Sequence, residues 1–154
     1  MAKPYPLGVT MPRALRSLLR AIAALGLATA LSAQAAGVSR ADAQKVRAVI
    51  QAQLAAFAAD DARRAFSFAA PGIRQMFGTP QRFLDMVREG YPVVYRPASV
   101  GFLKPEANGR TVIQAVEMAD GEGTLWVAVY QLERHKGAWR ITGCELVPSD
   151  GKVI

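Results

Sequence analysis

The chain has 154 residues, 51% of them hydrophobic and 20% charged, with a formal net charge of +7. That is enough chain for one domain, and it is too apolar for disorder. A single Cys and a single His exclude an intrachain disulfide framework and a zinc site of the usual ligands, and the sequence holds no nucleotide loop, catalytic triad or metal cluster.

Residues 1–35 contain Lys3, Arg13, Arg16 and Arg20 and no acid. The apolar run Ala21 to Leu31 follows, then Ser32-Ala33-Gln34-Ala35 with small residues at its last and third-last positions. A positive segment, an apolar segment and an A-x-A site form the layout of a secretory signal, with cleavage expected between Ala35 and Ala36 and translation starting at Met1 or Met11. The apolar run is well short of the roughly 20 residues that cross a bilayer, so no stable membrane anchor is expected after cleavage. No Cys lies near the site to carry a lipid, and no Arg-Arg pair suggests the twin-arginine route. Losing four of the 19 basic residues leaves 15 against 12 acidic, a net charge of +3. The basic excess therefore belongs mostly to the signal, and the remaining arginines form no stripe interleaved with aromatics, so nucleic acid is not an expected partner.

Ser39-Arg40-Ala41-Asp42 has the spacing of a helix-capping box, and Val46, Val49, Ile50, Leu54 and Phe57 then recur at helical spacing. A second helix is expected from Asp60 or Asp61, with Ala62, Ala65, Phe66 and Ala69 on its buried side and Pro71-Gly72 as its stop. Ile73 to Gly78 reads as a connector of at most one turn. Thr79-Pro80 starts a third helix, with a hydroxyl cap and then proline at the first helical position, and Gly90 ends it. A short strand interrupted by Pro97 is expected within Val93 to Leu103. Three longer strands, Thr111 to Met118, Thr124 to Leu132 and Ala138 to Val147, are rich in Val, Ile, Trp and Tyr. Residues 148–154 read as a flexible tail after a single domain at 36–147. Helices followed by an antiparallel meander predict an α+β domain, three N-terminal helices packed on a curved four-stranded sheet.

Several short motifs carry a family resemblance: Gln53-Leu54-Ala55-Ala56-Phe57 with Asp60-Asp61, Phe77-Gly78-Thr79-Pro80 with Phe83 and Met86-Val87, Tyr91 to Pro97, and Trp139 to Cys144. On these the chain resembles the nuclear-transport-factor-2-like (cystatin-like) superfamily. More closely it resembles an exported bacterial family known as domain of unknown function 4864. The resemblance covers roughly Val46 to Val147. It implies a cone formed by a bent sheet and helices, and it assigns no activity.

Strand pairing then suggests a pocket. If Asp120-Gly121 is a two-residue turn, Val112 faces Val129 and Gln114 faces Val127. If the next turn is an odd loop centred on His135, Val129 faces Ile141 and Leu125 faces Glu145, whereas an even loop inverts the last strand. The inner face then holds Val112, Gln114, Val116 and Met118, next to Leu125, Val127 and Val129. The last strand adds Trp139, Ile141, Gly143 and Glu145. Gln114 and Glu145 are its polar exceptions, and Tyr91 and Tyr95 stand at the mouth. The plainer assignment bonds Gln114 to a helix end, places Glu145 at the rim or beside Arg140 or Arg96, and packs the tyrosines into a corner. The outer face would expose Trp126 and Tyr130, a surface for a homodimer, and sheet-to-sheet dimers are common in the superfamily resembled. Alternatively, Arg140 covers Tyr130 and no dimer forms.

These readings converge on a periplasmic or secreted domain that binds a small apolar ligand or a protein partner without catalysis, metal or cofactor. Gln114, Glu145, Tyr91, Tyr95 and Trp139 are its candidate ligand-binding residues. Two alternatives stand beside it. One is a cofactor-free lyase or isomerase with Glu145 as base, chemistry the resemblance allows for a cavity carboxylate. The other is a structural dimer whose cone is plugged by Phe57, Phe83 and Trp139. A Cys144–His135 dyad is excluded by their separation along the strands, and His135 reads as a solvated turn residue.

Overall fold

The computed structural model describes residues 37–149, and the expected signal at 1–35 lies outside them. Helix α1 (Arg40–Ala58) starts where the capping residues place it: Ser39 Oγ accepts a hydrogen bond from the Asp42 N–H at 3.1 Å. Its apolar stripe is buried through Val46, Ile50, Leu54 and Phe57. Asp60 then takes a left-handed conformation (φ +54°), which turns the chain sharply, and Asp61 caps α2 (Ala62–Ser67).

Pro71 does not end α2; it opens α3 (Pro71–Phe77). The chain leaves α2 earlier because Phe68 to Ala70 dock on the sheet. Ala69 forms a parallel bridge to Ile141, the Ile141 N–H donates to the Phe68 carbonyl at 2.9 Å, and the Ala70 N–H donates to the Ile141 carbonyl at 2.8 Å. Thr79 caps α4 (Pro80–Gly90), which buries Phe83, Leu84 and Val87, and Pro92 opens the single turn α5 (Pro92–Tyr95) inside the stretch expected to be strand. Phe57, Phe66 and Phe77 surround the Phe83 ring at centroid distances of 5.9, 5.5 and 5.6 Å.

The sheet comprises β1 (Ser99–Phe102), β2 (Glu106–Asn108), β3 (Thr111–Ala119), β4 (Leu125–His135) and β5 (Ala138–Pro148). β1 and β2 pair with successive parts of one edge of β3, and the order β1-β3-β4-β5 is antiparallel throughout. β5 therefore runs one residue into the stretch expected to be a tail.

Two turns correct the expected register. Ala119 pairs with Leu125, so the β3–β4 loop spans Asp120 to Thr124 rather than the two residues Asp120-Gly121. The Asp120 carboxylate builds this loop by accepting from the N–H groups of Glu122 and Thr124 at 3.0 and 2.9 Å, and Gly123 supplies the positive φ of +85°. Gln114 consequently faces Tyr130, not Val127. The shift of three is odd, so it turns β4 over. Ala128, Tyr130 and Leu132 point inward and are 0%, 1% and 0% exposed. Leu125 and Val127 share the outer face. Tyr130 and Leu132 thus take the core positions expected for Val127 and Val129.

The β4–β5 turn is the two-residue pair Lys136-Gly137, with φ of +50° and +79°, the pattern of a type I′ hairpin. Leu132 pairs with Ile141 and Gln131 with Gly143, so Thr142 is an extra residue in a bulge. Trp139 and Ile141 point inward as expected. Beyond the bulge the phase changes: Cys144 and Leu146 are inward, and Glu145, opposite Val129, is exposed. Tyr130 and Trp126 are thereby removed from the outer face where a dimer surface was expected.

Asp60 ties the helical layer together by accepting from the Tyr95 hydroxyl and from Arg88 and Arg96 at 3.0 and 3.1 Å. The Tyr95 hydroxyl, then Arg88, holds its carboxyl below the ordinary value of 3.8. Asp42 is lowered first by the Ser39 hydroxyl, and Asp120 first by the Thr124 N–H. Folded pKa values depressed in this way add stability that is full above the unfolded value and fades as pH falls through the folded value. Urea unfolding midpoints are expected to hold near neutrality and to drop below about pH 4, with a shallower acid slope for Asp60→Asn. An identical slope in that variant would refute the assignment.

Candidate functional site

Between the helices and the inner face of β4 and β5 lies a cavity of about 230 Å³. α1 contributes Gln53 and Phe57, α3 contributes Ile73, Met76 and Phe77, and α4 contributes Phe83, Met86 and Val87. The sheet closes the far wall with Tyr130, Ile141 and Cys144. Phe57 and Phe83 are therefore walls rather than plugs. By scaling from a cavity of about 150 Å³ that holds benzene, the space suits a molecule of about nine heavy atoms.

The polar side chains that line it are few: Gln53, Tyr91, Tyr130 and Cys144. Gln53, 3% exposed, donates from Nε2 to the Ala65 carbonyl at 3.1 Å, which fixes the amide orientation and leaves Oε1 as its remaining acceptor. Among the described residues the Tyr130 hydroxyl is buried with no hydrogen-bond partner of normal geometry, the Cys144 thiol beside it being at most a weak one. Burial pushes its pKa well above the ordinary 10.0, with the neighbouring Cys144 adding to the rise. Burial likewise pushes the Cys144 thiol up to about 12, partly offset by Tyr130. Both groups stay protonated at neutral pH, so Cys144 is a poor nucleophile. α3 presents only Ile73, Met76 and Phe77 to the cavity. α3 buries none of its residues fully, and Met76, 77% exposed, marks the mouth there.

Of the residues expected to bind ligand, only Tyr91 lines this cavity. Gln114 is buried on the inner face, but its Nε2 donates to the carbonyls of Leu103 and Ala115 at 2.7 and 2.9 Å, so the protein itself satisfies it. Tyr95 is engaged with Asp60. Trp139 is buried away from the cavity, its Nε1 donating to Asp42 at 3.4 Å and its ring stacked under Arg134 at 5.0 Å. Glu145 faces outward, and so it offers the cavity no base. His135 closes β4 with its Nε2 buried and, among the described residues, unpartnered, unlike a solvated turn residue. The hairpin sets Cys144 opposite Tyr130, five residues from His135, or about 17 Å along the strand, still too far for a dyad.

Gln53, Tyr130 and Cys144 were not foreseen. Gln53 had a readable signal: it lies three residues after Ile50 and four before Phe57, a polar side chain inside an apolar helical stripe. Tyr130 and Cys144 depended on the register.

A family model described as a domain of unknown function (DUF4864) matches residues 39–154. Two solved structures are similar in fold. The "putative dehydratase from the NTF2-like family" of Streptomyces avermitilis is 13% identical, with a TM-score of 0.49, covering 72% of this chain and 99% of its own. An NTF2-like protein of unknown function from Burkholderia xenovorans is 17% identical, with a TM-score of 0.45, covering 72% of this chain and 88% of its own. No curated protein matches the chain.

Proposed function

We propose, for a chain that belongs to the DUF4864 family of domains of unknown function, that its role is non-catalytic: the cavity binds a small, mostly apolar molecule. The observation that carries this reading is the cavity itself, about 230 Å³ of space walled mainly by aromatic and aliphatic side chains. Water that enters this open-mouthed space finds few polar partners and leaves the apolar walls without close contacts. A ligand that fills it recovers those contacts. A mostly apolar hollow with a few placed polar groups is the common form of a small-molecule site.

Export belongs to the same proposal. With residues 1–35 acting as a signal, the domain meets its ligand in the periplasm or outside the cell. An exported form beginning at Ala36 supports this, and one beginning at Met1 or Met11 overturns it.

The binding test is thermal. At about tenfold excess over Kd, p-xylene is expected to stabilise the domain by about 1.4 kcal/mol, raising Tm by several degrees. No rise up to the solubility limit of p-xylene would contradict the reading.

A further inference from the structure

We infer that the ligand carries one uncharged hydrogen-bonding head and enters head first, with its hydrocarbon end left at the α3 mouth. This rests on the cavity being a ligand site and goes further by giving the ligand a class and a direction. The class is a neutral phenol, alcohol, ketone or amide on a small hydrocarbon frame, not a carboxylate or an amine.

Three observations carry it. The cavity wall differs in depth: its fully buried polar side chains, Gln53 and Tyr130, come from α1 and β4, with the Cys144 thiol from β5 and the half-buried Tyr91 after α4, while α3 lines it only with Ile73, Met76 and Phe77, none of them fully buried. The Tyr130 hydroxyl, on a residue 1% exposed, has no hydrogen-bond partner among the described residues. Leaving such a group unpaired is unfavourable, and the nearby thiol is only a weak partner. A head group that accepts from Tyr130, or donates to it or to Gln53 Oε1, supplies the missing bond. Finally, among the described residues no Lys, Arg, His, Asp or Glu lines the cavity, so an ionic head would be buried without a counter-charge. The same burial that keeps Tyr130 and Cys144 protonated acts on a ligand carboxylate. Met76, 77% exposed, marks the solvent-facing end, which leaves room for the hydrocarbon end.

The test uses two isosteric pairs, titrated calorimetrically into the wild-type chain and Tyr130→Phe. p-Cresol and p-xylene differ by a hydroxyl in place of a methyl. Benzamide and benzoate differ by charge. The wild type is expected to bind p-cresol at least as tightly as p-xylene, and Tyr130→Phe to move that ratio about tenfold toward p-xylene. Benzamide is expected to bind at least tenfold more tightly than benzoate at neutral pH. The variant removes an unpartnered hydroxyl, so it is expected to fold with unchanged or higher Tm, which separates lost recognition from lost structure. If p-xylene binds but the ratio is the same in both proteins, or benzoate matches benzamide, the inference is overturned while the ligand site stands. If none of the four compounds binds, the ligand site falls and the inference with it.

Discussion

Replacing Leu132 with alanine is expected to lower the unfolding free energy by about 2–5 kcal/mol, whereas the same change at Leu125 is expected to stay within about 0.5 kcal/mol. The two leucines share one strand and are seven positions apart, so they lie on opposite faces. Leu132 is 0% exposed under the helices, and Leu125 is 46% exposed on the outer face. Truncating the first loses the transfer free energy of the buried side chain and adds a void that close packing cannot fully refill. Truncating the second changes little, because water already reaches it. A two-residue turn at Asp120-Gly121 requires the reverse order, since Leu125 would then be inside. Chemical denaturation of the two variants decides between the registers, and a larger loss at Leu125 would refute the one described.

Phe83→Ala is expected to cost about 3–5 kcal/mol and to lower Tm on the order of 15 °C. Phe83 is 6% exposed and lies where α1, α2, α3 and α4 meet, with three other phenylalanine rings within 5.9 Å of its centroid. Its removal takes away those aromatic contacts and widens the neighbouring cavity. The void is accessible to ligand, so p-xylene is expected to raise the Tm of Phe83→Ala by more than it raises that of the wild type. A loss below about 1 kcal/mol would mean that the four rings do not pack as a unit.

Local chemistry made much of this fold readable. Ser39 and Thr79-Pro80 mark helix starts because a side-chain oxygen satisfies an N–H that the helix leaves free. The alternation of β3 correctly placed Val112, Gln114, Val116 and Met118 on one buried face. The register was harder to read because its determinants are not alternation signals. Asp120 looks like the first residue of a tight Asp-Gly turn, yet its carboxylate organises a longer loop, and Gly123 rather than Gly121 takes the positive φ. Thr142 adds a bulge with no compositional mark, and every side chain beyond it changes face. These two features turned Tyr130 and Cys144 toward the cavity and Glu145 away from it. Parity also hid a size argument: Trp126, Tyr130 and Leu132 offer the core larger apolar side chains than Val127, Val129 and Gln131, and burial area rather than purity of composition selects the inner face.

Methyl NMR of the ¹³C-labelled domain titrated with p-cresol tests the binding of a small apolar molecule most directly. The account predicts saturable shifts at Ile73, Met76, Met86 and Ile141, which ring the cavity, and none at Val112, which is buried outside it. Shifts absent at those four methyls, or spread evenly over the core, would contradict it.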